Sequence, residues 1–257
     1  MTSNNIEIKI YSEKIIKVVF FSLVSIDLGL ALCDIFLNHL EWTSIGPLRR
    51  FFNIAREDSL ANWYASSQLL LTGFILLIIF SFEKVSKGPK NSLFGWGLMA
   101  SFFIYMGIDE ATKLHERLGS SFKIFAEQNE TLGQMLSAFP SYPWQLILVP
   151  FFAAMGLFIV WFLYRKLNTW QLKANIVLAL AFYVLAVGLD FVEGMQSDPY
   201  IALAAYLNLS NESIRHFSKV IEETIELLGT TFFLLTFLKF LCAQEKDIHI
   251  YLRKQSP

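Results

Sequence analysis

Cysteine is almost absent from this chain. Cys33 and Cys242 are the only two in 257 residues, so no Cys set spaced for zinc exists. Each lies in or beside a different apolar run, at opposite ends of the expected bundle, and no mutual disulfide is expected. Charge is scarce as well, at 17% of residues, and the net charge of -1 gives no case for nucleic acid. The 21 basic residues fall in short clusters between apolar runs and form no basic stripe. The chain has no HExxH, no GxSxG and no P-loop, which removes three familiar routes to hydrolytic or phosphate chemistry. No lysine falls mid-helix where a retinal Schiff base would need one. No soluble domain, low-complexity tract or clear internal repeat is visible.

What is present in excess is apolar. Hydrophobic residues make up 54% of the chain, 25 of them Phe, and mean hydropathy is +0.47. Runs long enough to cross a bilayer explain this composition directly. Hydropathy places spans at about 15–40, 60–82, 92–113, 144–165, 174–194 and 220–242, each near the ~20 residues a crossing needs. The first has too long an apolar core for a cleavable signal. The expected fold is all-α: a polytopic membrane helix bundle of six transmembrane helices in one domain, residues 1–257. The longer connections, 114–143 and 195–219, are expected to hold interfacial helices or lids.

Basic residues orient the bundle. With the N-terminus inside, the inner segments collect Lys9, Lys14, Lys17, Lys84, Lys87, Lys90, Arg165, Lys166, Lys173, Lys239, Lys246, Arg253 and Lys254. The outer segments hold only Arg49, Arg50, Arg56, Lys113, Arg117, Lys123, Arg215 and Lys219. The positive-inside rule then puts both termini in the cytoplasm. A multi-pass protein of a bacterial inner (plasma) membrane is expected, with membrane lipids as partners, no nucleic acid, and a homo-oligomer or membrane complex as its assembly.

Depth turns the acids into a pattern. Counting ~20 residues per crossing puts Asp27 near mid-membrane and Asp34 in the outer third. The same count carries Asp109, Glu110, Asp190, Glu193, Glu222, Glu223 and Glu226 to the outer end. The second span adds Asn62, Ser66, Ser67 and Gln68 there, while the fourth brings only Gln145. At ~100° per residue, Asp27, Asp34 and Glu41 form one line with Asn38 beside it. Asp109, Thr112, Lys113 and Glu116 share a stripe, with His115 turned about a quarter-circle away. Tyr183, Asp190, Glu193 and Ser197 share a face. So do His216, Lys219, Glu223, Glu226 and Thr230, leaving Glu222 to the side. Trp42, Trp63, Tyr64, Tyr142 and Trp144 fit an outer aromatic belt.

Three blocks carry a resemblance: FFNIAREDSLANWYASS (51–67), IDEATKLHERLG (108–119) and IEETIELLG (221–229). Together they resemble an uncharacterised family of bacterial multi-pass membrane proteins with DE…HE and EExxE-G blocks. The first block departs from that family's acidic, glycine-rich form at Ala55-Arg56-Glu57-Asp58. The resemblance implies a six-helix-like membrane protein and marks Asp109, Glu110, His115, Glu116, Glu222, Glu223 and Glu226 as motif positions. It implies no reaction.

Carboxylates with one or two histidines and no thiolates make a donor set for a divalent metal ion, with Zn²⁺, Mn²⁺ and Fe²⁺ the first choices and Mg²⁺ or Ca²⁺ also suited. The Glu-x-x-His spacing of di-metal bundles is absent. The expected ligands are Asp109, His115, Glu116, His216, Glu222, Glu223 and Glu226, with Asp190, Glu110 and Asp34 as acids that move protons. Plainer readings stand beside these. Acids at helix ends are often solvated, paired with neighbouring lysines, or stabilised by the helix dipole, and Asp190 and Glu193 have Arg49, Arg50 and Arg56 as candidate partners. Three functions therefore remain: a metal-dependent enzyme acting on a lipid or membrane-soluble substrate, a cation- or proton-coupled transporter, and a structural accessory subunit.

Overall fold

The computed structural model describes residues 12–195 and 198–244, and every regular element among them is helical. Lys9, Ser197, Lys246, Arg253 and Lys254, which entered the charge count or a helix face above, lie outside the described residues. Six long apolar helices carry the candidate membrane spans. They are α1 (Ser12–Asp34, continued by a π-helical turn over Ile35–His39), α3 (Leu60–Val85), α4 (Lys90–Thr112), α7 (Pro143–Lys166), α8 (Trp170–Glu193) and α10 (Asn211–Gln244). Four short helices fill the connections: α2 (Gly46–Phe52), α5 (Leu114–Glu127), α6 (Glu130–Ala138) and α9 (Pro199–Leu207). The last span starts earlier than hydropathy alone suggests, because the polar turns from Asn211 to Lys219 continue the helix.

Local chemistry sets several boundaries. Ser59 caps α3 by accepting from the Asn62 N–H at 3.2 Å, and Thr169 caps α8 by accepting from Leu172. Asn129 caps α6 through the N–H groups of Thr131 and Leu132. Each side-chain oxygen satisfies a donor that a helix start leaves without a partner.

Packing is tightest between α3 and α4. A Cβ added at Gly73 would lie 3.1 Å from the Ile104 backbone nitrogen, and one at Gly107 would lie 3.1 Å from that of Leu70. Small residues let membrane helices approach where no hydrophobic force separates lipid from protein. The core joins α3, α4, α7, α8 and α10 around Trp96, Met99, Phe103, Ile159, Phe233 and Phe237. Trp96 meets Phe162 edge-on at 5.1 Å, and Phe103 meets Phe233 at 5.0 Å. Phe94, Leu157 and Val184 are exposed instead, as side chains facing lipid would be. α10 is the central post, packing on α8, α1 and α3.

Two expectations about the first helix and the belt need correction. The line Asp27–Asp34–Glu41 requires an unbroken 3.6-residue period, but the π turn interrupts it and Glu41 adopts a left-handed φ of 50°. Glu41 is exposed and pairs with Arg49 at 3.2 Å. Trp42 and Trp63 are exposed as a belt requires, whereas Tyr64 turns inward to Asp27 and Trp144 is buried.

Candidate functional site

The DE…HE block is where the chain breaks. α4 ends at Thr112, Lys113 takes a left-handed φ of 50°, and α5 starts at Leu114. A non-glycine residue rarely adopts this conformation, and its cost is tolerated chiefly where the surroundings fix it. The break swings His115 back over Asp109. The His115 N–H donates to Asp109 Oδ1 at 2.8 Å, and His115 Nδ1 lies 2.6 Å from Oδ2. The unbroken helix assumed from sequence had His115 turned away; the left-handed residue is the physical reason it is not. Nε2, the other ring nitrogen, lies 3.8 Å from Glu116 Oε1. A carboxylate fixed on one ring nitrogen sets the tautomer and leaves the other nitrogen free for proton transfer or ligation.

A second group comes from α8 and α10. Asp190, Glu193 and Glu222 each offer an oxygen, and these atoms lie within 4.8 Å of one another. Gln145 of α7 donates to Asp190 Oδ2 at 2.8 Å, and Ser141 donates to the Phe191 carbonyl, so α7 and its lead-in brace the end of α8. Lys219 binds Glu222 Oε1 at 2.7 Å and reaches Glu223 at 3.5 Å. Oε2 of Glu222 and Oε2 of Glu193 are buried without a hydrogen-bond partner. Glu222 itself is only 4% exposed, which corrects the placement of this residue off to the side: α8 and α9 pack on that flank of α10. Buried carboxylate oxygens left bare are costly, so a cation or a proton is the natural complement.

Two adjoining cavities with six lining residues in common meet these groups. An inner cavity of about 170 Å³ has seven carboxylates, Lys113, Lys219 and His115 at its polar end. Its other end is apolar, reaching Phe103, Ile159 and Phe233. A vestibule of about 380 Å³ is walled by Arg56, Asn62, Tyr142 and Glu193, and shares Lys113, Glu116, Trp144, Asp190, Lys219 and Glu223 with the inner cavity. Asn62 donates to Glu110 Oε1 at 3.0 Å, and Lys113 stands 3.6 Å from the same oxygen. Burial alone would pull the Lys113 ammonium down, but Glu110, Glu223 and Glu226 outweigh it and its pKa is raised. Burial and the charges of Glu193 and Asp190 push the Tyr142 phenol up.

His216 and Asp34 are not brought to this centre. They line neither cavity and sit on the face of α10 turned to α1. His216 Nε2 is 2.7 Å from Asp34 Oδ2 but off the angle of a hydrogen bond, so the contact is an electrostatic approach. Asp34 Oδ1 accepts from Asn38 at 2.9 Å and from the Ile54 N–H at 3.2 Å, tying the α2–α3 connection to α1. Deeper, Asp27 accepts from Tyr64 at 2.9 Å and from Thr231 at 2.8 Å, and Gln68 donates to Thr231 at 2.6 Å.

The sequence-marked residues therefore divide. Asp109, Glu110, His115, Glu116, Asp190, Glu222, Glu223 and Glu226 share the inner cavity. Arg49, Arg50 and Arg56 do not pair with Asp190 or Glu193; Arg49 goes to Glu41, and Arg50 and Arg56 both go to Asp58. Glu193 joins the carboxylate triad although sequence reasoning gave it no ligand role. Its signal was the three-residue spacing from Asp190, which puts both on one side of a helix.

Fold and centre together define a multi-pass helical membrane protein with a buried acidic cluster at one end. The chain belongs to the family described as a domain of unknown function, DUF8692, whose model matches residues 19–240. No curated protein matches the chain, and no solved structure does.

Proposed function

We propose that this protein is a divalent-metal-dependent membrane enzyme acting on a membrane-soluble substrate, with its centre at the outer leaflet of a bacterial inner membrane and both termini cytoplasmic. The observation that carries the reading is the triad Asp190, Glu193 and Glu222, in which two buried oxygens lack any partner. Three carboxylates and no nitrogen suit Mn²⁺ or another hard ion better than Zn²⁺, narrowing the choice drawn from sequence. A bound ion there would polarise an acyl or phosphoryl oxygen and acidify a water. His115, which lines the same cavity and whose Nδ1 faces Asp109, would be the residue to accept and return a proton in such chemistry. The expected chemistry is hydrolysis, with Glu110, Glu223 and Glu226 tuning the charge around Lys113 and Lys219. The basic-residue asymmetry supports the orientation.

Elemental analysis of full-length protein purified in nanodiscs with Mn²⁺ tests the reading. About one ion per chain is expected, lost in Glu222→Gln and Asp190→Asn and kept in His216→Ala. Metal near background in the wild type, or unchanged across all four proteins, overturns it.

A second reading is a proton- or cation-coupled transporter. It is favoured by the separate polar column of Asp27, Asp34 and His216 along the seam between α1 and α10.

A further inference from the structure

We infer that the substrate is an amphiphile with a single alkyl chain, whose chain seats in the apolar end of the inner cavity and whose length is gauged by Gly156. This rests on the metal-enzyme reading for the chemistry at the head, but the chain site has its own observations. The inner cavity changes character along its length: carboxylates and lysines crowd one end, and the other is made of Phe103, Phe152, Ile159, Leu180 and Phe233. The end built of these side chains offers a water no ring of polar partners, so a hydrocarbon is its natural occupant. The whole cavity, polar end included, measures about 170 Å³, which caps the space open to a chain. An engineered apolar cavity of ~150 Å³ takes one benzene, so there is room here for one chain and not for two.

Access fits as well. Beside the cavity, α4 and α7 meet through rings and not through backbone: Phe102 stands 6.4 Å from Phe151 and 6.3 Å from Phe152, centroid to centroid. Rings at that spacing can part to admit a chain from the bilayer. The headgroup then lies at the six residues shared with the vestibule, beside the carboxylate triad.

Gly156 is the gauge. It lines the cavity from α7, and a Cβ there would meet only Leu180 Cδ2, at 3.9 Å. A side chain can be added without disturbing the backbone, and it would fill space a chain end needs.

Photolabelling of the full chain in nanodiscs tests this, using an octyl lysophosphocholine and a two-chain dioctanoyl phosphocholine, each with a diazirine at a chain end. In the wild type, octyl-probe adducts are expected on Phe103, Ile159 or Phe233. Gly156→Leu should cut them about tenfold, equivalent to ~1.4 kcal/mol of binding. Gly156→Ala should give an intermediate loss, and metal content should not change in either variant. Adducts confined to lipid-facing positions such as Leu157, equal labelling by a two-chain probe, or labelling indifferent to Gly156→Leu overturns the chain site. Chain labelling that persists in a protein without metal would instead overturn the enzyme reading alone.

Discussion

Asp109 grips His115 twice, accepting from its backbone N–H at 2.8 Å and lying 2.6 Å from its Nδ1, across the left-handed Lys113. Asp109→Asn keeps one carbonyl acceptor and loses the charge. Hydrogen bonds to charged groups contribute ~1.5–3 kcal/mol each, so a loss of about 1–3 kcal/mol in unfolding free energy is expected. Nitrogen-15 spectra of the imidazole should show the His115 tautomer becoming mixed. Unchanged spectra would mean that Asp109 does not set the ring.

The α3–α4 contact gives a test of packing alone. At Gly107 an added Cβ would fall 2.8 Å from Leu70 Cγ and 3.1 Å from the Leu70 nitrogen, so backbone as well as side chain must move. Gly107→Leu should cost about 1–3 kcal/mol by overpacking, read as a lower thermal midpoint in detergent. Because Asp109 lies two residues on, at the end of the same helix, its hold on His115 should loosen in parallel, read as a more mixed imidazole tautomer. Gly29→Ala is the control, since nothing lies within 4 Å of a Cβ there.

How much of this was legible in the sequence depends on what each feature asks of the chain. The six spans are a matter of composition over ~20 residues, and hydropathy finds them with few boundary errors. The clustering of acids at one end follows from counting along rigid helices, and it holds for Asp109, Asp190 and Glu222 alike. Helical phase failed wherever the helix did not continue. A lysine carries no signal for the left-handed region, so the turn at Lys113 and the return of His115 were invisible. The π turn after Asp34 likewise hid the fate of Glu41. Phase also assigns a face without naming the neighbour. His216 and Lys219 look alike on a helical wheel, yet one meets Asp34 of α1 and the other Glu222 beside α8.

Acid should loosen the α9 hairpin first. Arg215 lies 2.8 Å from Asp198 Oδ2 and, with Asn211, holds the Asp198 carboxyl below its ordinary value. A depressed carboxylate stabilises the fold above its unfolded pKa, near ~3.9, and that contribution disappears as pH falls through the lower, folded value. Protection factors over Pro199–Leu207, corrected for the intrinsic exchange rate at each pH, should therefore be flat from neutral pH down to about 4 and fall below it. Asp198→Asn should show low protection already at neutral pH, with the acid step gone. Because the pair is partly exposed, high salt should shrink the difference.

Asp27 separates a structural lock from an ion path. It is fully buried, and its two oxygens take Tyr64 from α3 and Thr231 from α10, with Gln68 completing the ring of bonds. Such a node joins three helices, and interhelical bonds of this kind contribute about 0.6–2 kcal/mol each inside membranes. In the lock reading, Thr231→Val should lower stability by about that much, while Asp27→Asn, which keeps an acceptor for one partner, should lower it less than Asp27→Leu. Proton flux in liposomes should then be equally low for the wild type and all three variants. A wild-type flux that Asp27→Asn abolishes without loss of folded protein would instead make the column from Asp27 to His216 a pathway, since a neutral amide can preserve packing but cannot carry a proton.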